Sequence, residues 1–167
     1  ALKLANSQEE SNLTSMIAAT YTEKGDFNSA LKHIDDAINR TDADNFKFPK
    51  ATIYMAMSLH GKAVTILDIL LDDNSNHEEI LLNRAESHMA LKQYDLAKED
   101  FSTLQSFAPN DPRSYYRLAQ IAEAQNQNTE EFDNYTLFLK YVDRESVPAE
   151  ELKRIETRMK QLPGSTE

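Results

Sequence analysis

The chain has 167 residues, 40% of them hydrophobic, no cysteine, and a net charge of −10 from 18 basic and 28 acidic side chains. Its length suffices for one domain with a core, and no apolar run approaches the roughly eighteen residues of a membrane-spanning helix. The acids are spread along the chain with no basic stripe, which excludes a general nucleic-acid binder. Without thiols there is neither a disulfide framework nor cysteine chemistry, a composition that suits the cytoplasm and the bacterial periplasm or envelope equally.

Three glycines and five prolines are too few for a sheet-rich fold with many tight turns. The spacing of apolar residues predicts helices throughout. Residues 1–8 read as the remnant of a preceding helix or as a lead-in. A helix is expected from about Glu9 to Glu23, a turn at Lys24–Asp26, and a second helix over Phe27–Arg40. A polar loop follows at Thr41–Asn45. The next helix is short, Pro49 to about Leu59, because a residue without an N–H is tolerated only in a first turn.

Gly61 is expected to take a left-handed cap, where the missing Cβ helps. Helices then follow over Lys62–Asp72, His77–Leu91, Tyr94–Phe107, Pro112–Gln125 and Thr129–Val142, with polar loops between them. Residues 147–162 carry Leu152, Ile155, Met159 and Leu162 on one stripe and Lys153, Arg154, Arg158 and Lys160 off it. Ser146 is placed to cap that helix, with Glu150 and Glu151 in its first turn, where the dipole favours anions.

The helices repeat. Tyr94, Ala97, Phe101 and Leu104 lie at i, i+3, i+7 and i+10, one helix face. Phe27, Ala30, Ile34 and Ala37 have the same spacing; Ala63, Leu67 and Leu70 give a third copy. Glu131, Tyr135 and Phe138 give a fourth, in which the small residue is lost. The equivalent positions 30, 63, 97 and 131 are separated by 33, 34 and 34 residues.

A period of about 34 with this pattern resembles the tetratricopeptide repeat family. Ile17, Ala18 and Tyr21 fill the large, small and aromatic positions of the family's first helix, and Gly25-Asp26-Phe27 its turn. Leu81, Ala85 and His88, then Tyr94, Ala97, Phe101 and Pro109, match in the third unit. Tyr115, Leu118, Ala119 and Ala122 match in the fourth, and Ala51 and Tyr54 in the second.

The resemblance implies an all-α, right-handed superhelical solenoid of antiparallel helix pairs. Its repeats would occupy 9–44, 45–76 (a degenerate copy), 77–110 and 111–145. A capping helix at 146–162 would cover the last apolar face, followed by a tail at 163–167. A chain beginning ALKLAN rather than with methionine then reads as a piece of a longer repeat protein or a processed precursor.

Nothing in the sequence points to catalysis, a cofactor or a metal. His33, His60, His77 and His88 form no metal-ligand spacing, and there is neither a phosphate-cradling glycine loop nor a nucleophile elbow. The pairs Asp35-Asp36, Glu78-Glu79 and Glu130-Glu131 are adjacent in sequence. On a helix they diverge by about 100° and read as solvated surface.

The resemblance instead implies a non-enzymatic protein-interaction module whose first helices line a concave groove. The family's contact positions fall on Phe48, Thr52 and Met55, on Leu82, Glu86 and Met89, and on Tyr116, Gln120 and Glu123. In the first repeat they fall on Ser15, Ala19 and Thr22. The family's clamp of Lys, Asn and Arg for a C-terminal carboxylate is missing. What remains is an apolar ladder rimmed by Glu79, Glu86 and Glu123, suited to a protein or peptide partner with apolar anchors and basic residues. The resemblance also admits a bacterial secretion-type chaperone for an unfolded effector, or an envelope- or pilus-assembly protein.

Overall fold

Residues closing a helix have four carbonyls without an intrahelical partner, and this chain meets that need the same way four times. In the computed structural model, which describes residues 2–41, 44–73 and 77–163, the helices are α1 (Leu2–Glu23), α2 (Phe27–Thr41), α3 (Lys47–Ala56), α4 (His60–Asp73), α5 (Glu78–Ala90), α6 (Tyr94–Phe107), α7 (Pro112–Ala124), α8 (Asn128–Tyr141) and α9 (Ala149–Met159). Short 3-10 turns at Asp44–Phe46 and Arg144–Ser146 precede α3 and α9. Ala1, parts of the polar loops expected around 42–43 and 74–76, and tail residues 164–167 lie outside the described residues.

Three residues separate α1 from α2, α3 from α4, α5 from α6 and α7 from α8, and the middle one always has positive φ: Gly25 (75°), Ser58 (58°), Lys92 (58°) and Asn126 (57°). The residue after it donates its N–H five places back, Asp26 to Tyr21, Leu59 to Tyr54, Gln93 to His88 and Gln127 to Ala122, at 2.8–2.9 Å. The left-handed residue itself donates to the carbonyl of Thr22, Met55, Met89 or Glu123. This paired bonding is the Schellman motif. It recurs at intervals of 33, 34 and 34 residues, the intervals of the hydrophobic pattern.

The second repeat differs in detail from expectation. Its left-handed residue is Ser58 and not Gly61, which sits within the first turn of α4. The helix around Pro49 is ten residues long against thirteen for α5 and α7, and Pro49 lies in its first turn, as its missing N–H requires. α1 starts at Leu2 without a break near Glu9. Ser146 does not cap α9. It lies in the preceding 3-10 turn, its hydroxyl donating to the Asp143 carbonyl at 2.6 Å, and Pro148 holds the cap position.

The described residues fall into two compact units, one up to Gln93 and one from Tyr94 on. In the first, α1 packs on α2 and α3 on α4, each pair antiparallel, with α5 against α4 and α3. Small residues allow this approach: Ala18, Ala51 and Ala85 on the first helices and Ala30 and Ala63 on the second are fully buried. Around them Ile34, Phe46 and Ile53 form a core with partly buried Tyr21, Phe27, Leu31, Ile38 and Met57.

Two ion pairs recur in register between a first helix and the preceding second helix: Lys50 to Asp35 at 2.6 Å, and Arg84 to Asp68 at 2.8 Å. Being partly exposed, each is worth at most about 1 kcal/mol.

The second unit holds α6, the antiparallel pair α7 and α8, and α9. Asp111 caps α7 by accepting the Arg113 N–H at 3.0 Å, with Pro112 at the first helical position. Ala97 and Ala119 are fully buried, and Tyr135, Phe138 and Ile155 complete a core that Tyr115, Tyr116, Leu139, Val142, Val147 and Met159 flank.

A Cβ added at Gly25 meets nothing within 4 Å, so substitution there tests backbone conformation alone. Gly25→Ala is expected to lower stability by about 1–2 kcal/mol. Lys92→Gly, which relieves the same strain, should raise it by about 0.5–1 kcal/mol. Urea titration followed by circular dichroism measures both.

Candidate functional site

The contact positions implied by the sequence fall on the first helix of each pair. Phe48, Thr52 and Met55 lie on α3, Leu82, Glu86 and Met89 on α5, and Tyr116, Gln120 and Glu123 on α7; all nine are half-buried. In the first unit α1, α3 and α5 are neighbours. The equal register of their closing turns sets Ser15, Phe48 and Leu82 at matching heights, and likewise Thr22, Met55 and Met89. The Thr52 hydroxyl is turned inward onto the Pro49 carbonyl at 2.8 Å. Glu79 is exposed at the start of α5.

His88, at the position of Tyr21, is buried, and its Nδ1 lies 2.8 Å from Oε1 of Gln93. It packs and pins the turn. Among the described residues no group of three or more His, Asp or Glu side chains is placed to hold a metal ion, and no helix is long and apolar enough to cross a membrane.

In the second unit the same positions meet α9. The Tyr116 hydroxyl donates to Glu151 at 2.7 Å, and its ring lies 5.1 Å from that of Phe138. Glu123 accepts from the Tyr135 hydroxyl at 3.3 Å and lies 3.6 Å from Arg154 and 3.9 Å from Arg158. Gln120 accepts from Arg117 at 3.0 Å. Glu123 is therefore not an open acidic rim but one side of an ion-pair cluster.

The cluster's deepest member is Glu131. Expected on solvated surface, it is fully buried, and Arg158 grips both its oxygens, Nε to Oε1 at 2.7 Å and Nη2 to Oε2 at 2.9 Å. This two-pronged geometry is the one best able to compensate a buried carboxylate. One turn earlier Arg154 donates to Glu151 at 2.9 Å and to the Tyr135 hydroxyl at 3.1 Å.

The electrostatics follow these contacts. Hydrogen bonding from Arg154 holds the Glu151 carboxyl below its ordinary range, and Glu131 raises the already high pKa of Arg158. Burial pushes the Tyr135 phenol up to about 12, the hydrogen bond from Arg154 only partly opposing it. Tyr116 is raised as well, by burial first and then by Glu151.

The sequence signal for this cluster is a single one: Glu131 stands where alanine stands in the other three copies. Its arginine, 27 residues on, follows no local motif.

Removing Arg158 leaves Glu131 buried without a counter-charge. Arg158→Ala is expected to cost about 3 kcal/mol, the lower end of the range for breaking a buried pair because the arginine is partly exposed. Adding Glu131→Ala, which restores the residue of the other repeats, should recover most of that loss. A double-mutant cycle in chemical denaturation reads the coupling directly.

Residues 78–111 match the tetratricopeptide repeat family model. No curated protein matches the chain in sequence. Solved structures do match in fold. MamA from residue 41 to its end, from Desulfovibrio magneticus RS-1, aligns with a TM-score of 0.68 at 19% identity, covering 78% of this chain and 75% of that one. A tetratricopeptide repeat protein from Parabacteroides merdae ATCC 43184 aligns at 0.70 and 17% identity, covering 90% and 57%. The first TPR domain of human RPAP3 aligns at 0.61 and 15%, covering 70% and 93%. Four closing turns in step and these folds give the chain a tetratricopeptide-repeat fold, and residues 78–111 are the segment that matches the family model.

Proposed function

We propose that the chain is a non-enzymatic protein-interaction module, binding a peptide or protein segment along the face its first helices share. The observation that carries this reading is the six side chains of α3 and α5. Phe48, Thr52 and Met55 repeat in register as Leu82, Glu86 and Met89, and all stay half-exposed although each helix has a buried side of its own. An aromatic, a leucine and two methionines left at a surface are costly to hydrate and adaptable in contact, which is what a recognition surface needs.

The repeats are taken as 9–44, 45–76, 77–110 and 111–145, closed by a helix within 146–162. In the second unit, Tyr116, Gln120 and Glu123 hold the equivalent positions on α7, with α9 beside them. Glu79 and Glu86 favour a partner bearing lysine or arginine next to its apolar anchors.

The test uses capture from the source lysate, with bound proteins identified by mass spectrometry. Phe48→Ala combined with Leu82→Ala should release the specific partner, with affinity for it falling at least tenfold, while circular dichroism is unchanged. A partner retained at full affinity by a folded double variant would overturn the assignment of this face.

A further inference from the structure

The fourth repeat departs from the others at one buried position, and the departure is chemical. Ala30, Ala63 and Ala97 are fully buried on α2, α4 and α6; on α8 the equivalent residue is Glu131, equally buried. A carboxylate in that site is tolerated only with a cation against it, and Arg158 of α9 supplies one.

Glu123 of α7 is the neighbouring carboxylate, facing Arg154 and Arg158. Beside the two acids the floor is apolar: Ala119, Tyr135 and Phe138, on which Ile155 is completely buried. The α7/α8 face thus fits a helix of one description, with an apolar stripe bordered by arginines four residues apart. An alanine-faced repeat helix would leave Glu131 unpaired.

α9 meets that description but is held lightly. Ile155 is its buried side chain, and Leu162 is buried just beyond its end. The side chains of Arg154 and Arg158 keep 40% and 31% of their surface in water. A short non-α connection, residues 142–148, joins it to α8. When α9 lifts, the face it leaves holds a carboxylate stripped of its partner, and any matching helix that arrives is drawn in.

We propose that the α7/α8 face is an exchangeable docking surface for the Arg154–Arg158 helix, and that its occupant in trans is the α9 of a second copy of this chain. Two copies then trade α9, each closing the other's Glu131. The complementarity is already proven by the contacts α9 makes within one copy. The net charge of −10 opposes encounter between copies, so salt should assist the exchange by screening that long-range repulsion more than the buried pair.

Two full-length charge reversals test this. Glu131→Arg alone and Arg158→Glu alone each set like charges against one another within a copy. Each is expected to be monomeric, with fast hydrogen exchange across α9. Mixed in equal amounts, the face of each matches the α9 of the other. The mixture should form a heterodimer by native mass spectrometry, with α9 protection restored in both chains. The double variant E131R/R158E, matched again as the unmodified chain is, should show the unmodified chain's oligomeric state and α9 protection at the same concentration.

A mixture that remains monomeric with α9 unprotected, beside a folded double variant, would overturn the proposal. Should these variants lose their helicity, a fluorescein-labelled peptide of residues 147–163 decides with the unmodified chain. Saturable binding that R158E in the peptide weakens at least tenfold supports exchange, and no binding of either peptide overturns it.

Discussion

Everything in this fold hangs on one backbone conformation repeated at a fixed interval. A single left-handed residue ends each first helix, and the next residue both bonds back into that helix and leads into the second. Within each unit the turn is so short that the direction of the second helix is set almost entirely by the first. Once the turns fall 33 and 34 residues apart, the small residues that let helices approach must fall at the same interval, as they do at Ala18, Ala51, Ala85 and Ala119. The half-exposed positions between them are carried along in register. The strain of a non-glycine left-handed residue, accepted at Ser58, Lys92 and Asn126, is repaid by two hydrogen bonds on carbonyls that otherwise have no partner.

The two units use charge differently. In the first, lysine and arginine on first helices reach sideways to aspartates on the preceding second helices, and these partly exposed pairs add little stability. In the second, a carboxylate is buried outright and its arginine comes from α9. Such a pair is weak evidence for stability, and a neighbour lacking the arginine would leave a bare charge inside the protein. The buried alanine at Ala97 asks nothing of its neighbour but close approach, whereas Glu131 asks for a cation, which α9 supplies.

Helix number, the pairing of helices and the repeat interval were all legible in the residues, because burial imposes a period and the period was intact in Phe27–Ala37 and Tyr94–Leu104. The second repeat was legible only in part. Gly61 attracted the left-handed assignment on glycine's intrinsic freedom, yet register decides that position and put it on Ser58. Ser146 looked like a cap by type and spacing, but the 3-10 turn spends its hydroxyl on Asp143. The candidate face was legible as positions on first helices.

The ion-pair cluster was legible only as one departure, a glutamate at the alanine position of the other copies. Adjacency of Glu130 and Glu131 suggested solvated surface, while a helix turns two neighbours to different sides and buried one of them. No local pattern links residue 131 to residue 158. The pairing depends on where α9 lies, which is a tertiary fact.

The central claim is that first helices recognise and second helices support. Hydrogen–deuterium exchange on the full chain, with and without its captured protein partner, tests it most directly. The account predicts added protection along α3 and α5, with α2 and α4 unchanged. Protection concentrated on α2 and α4, with α3 and α5 exchanging as before, would contradict it.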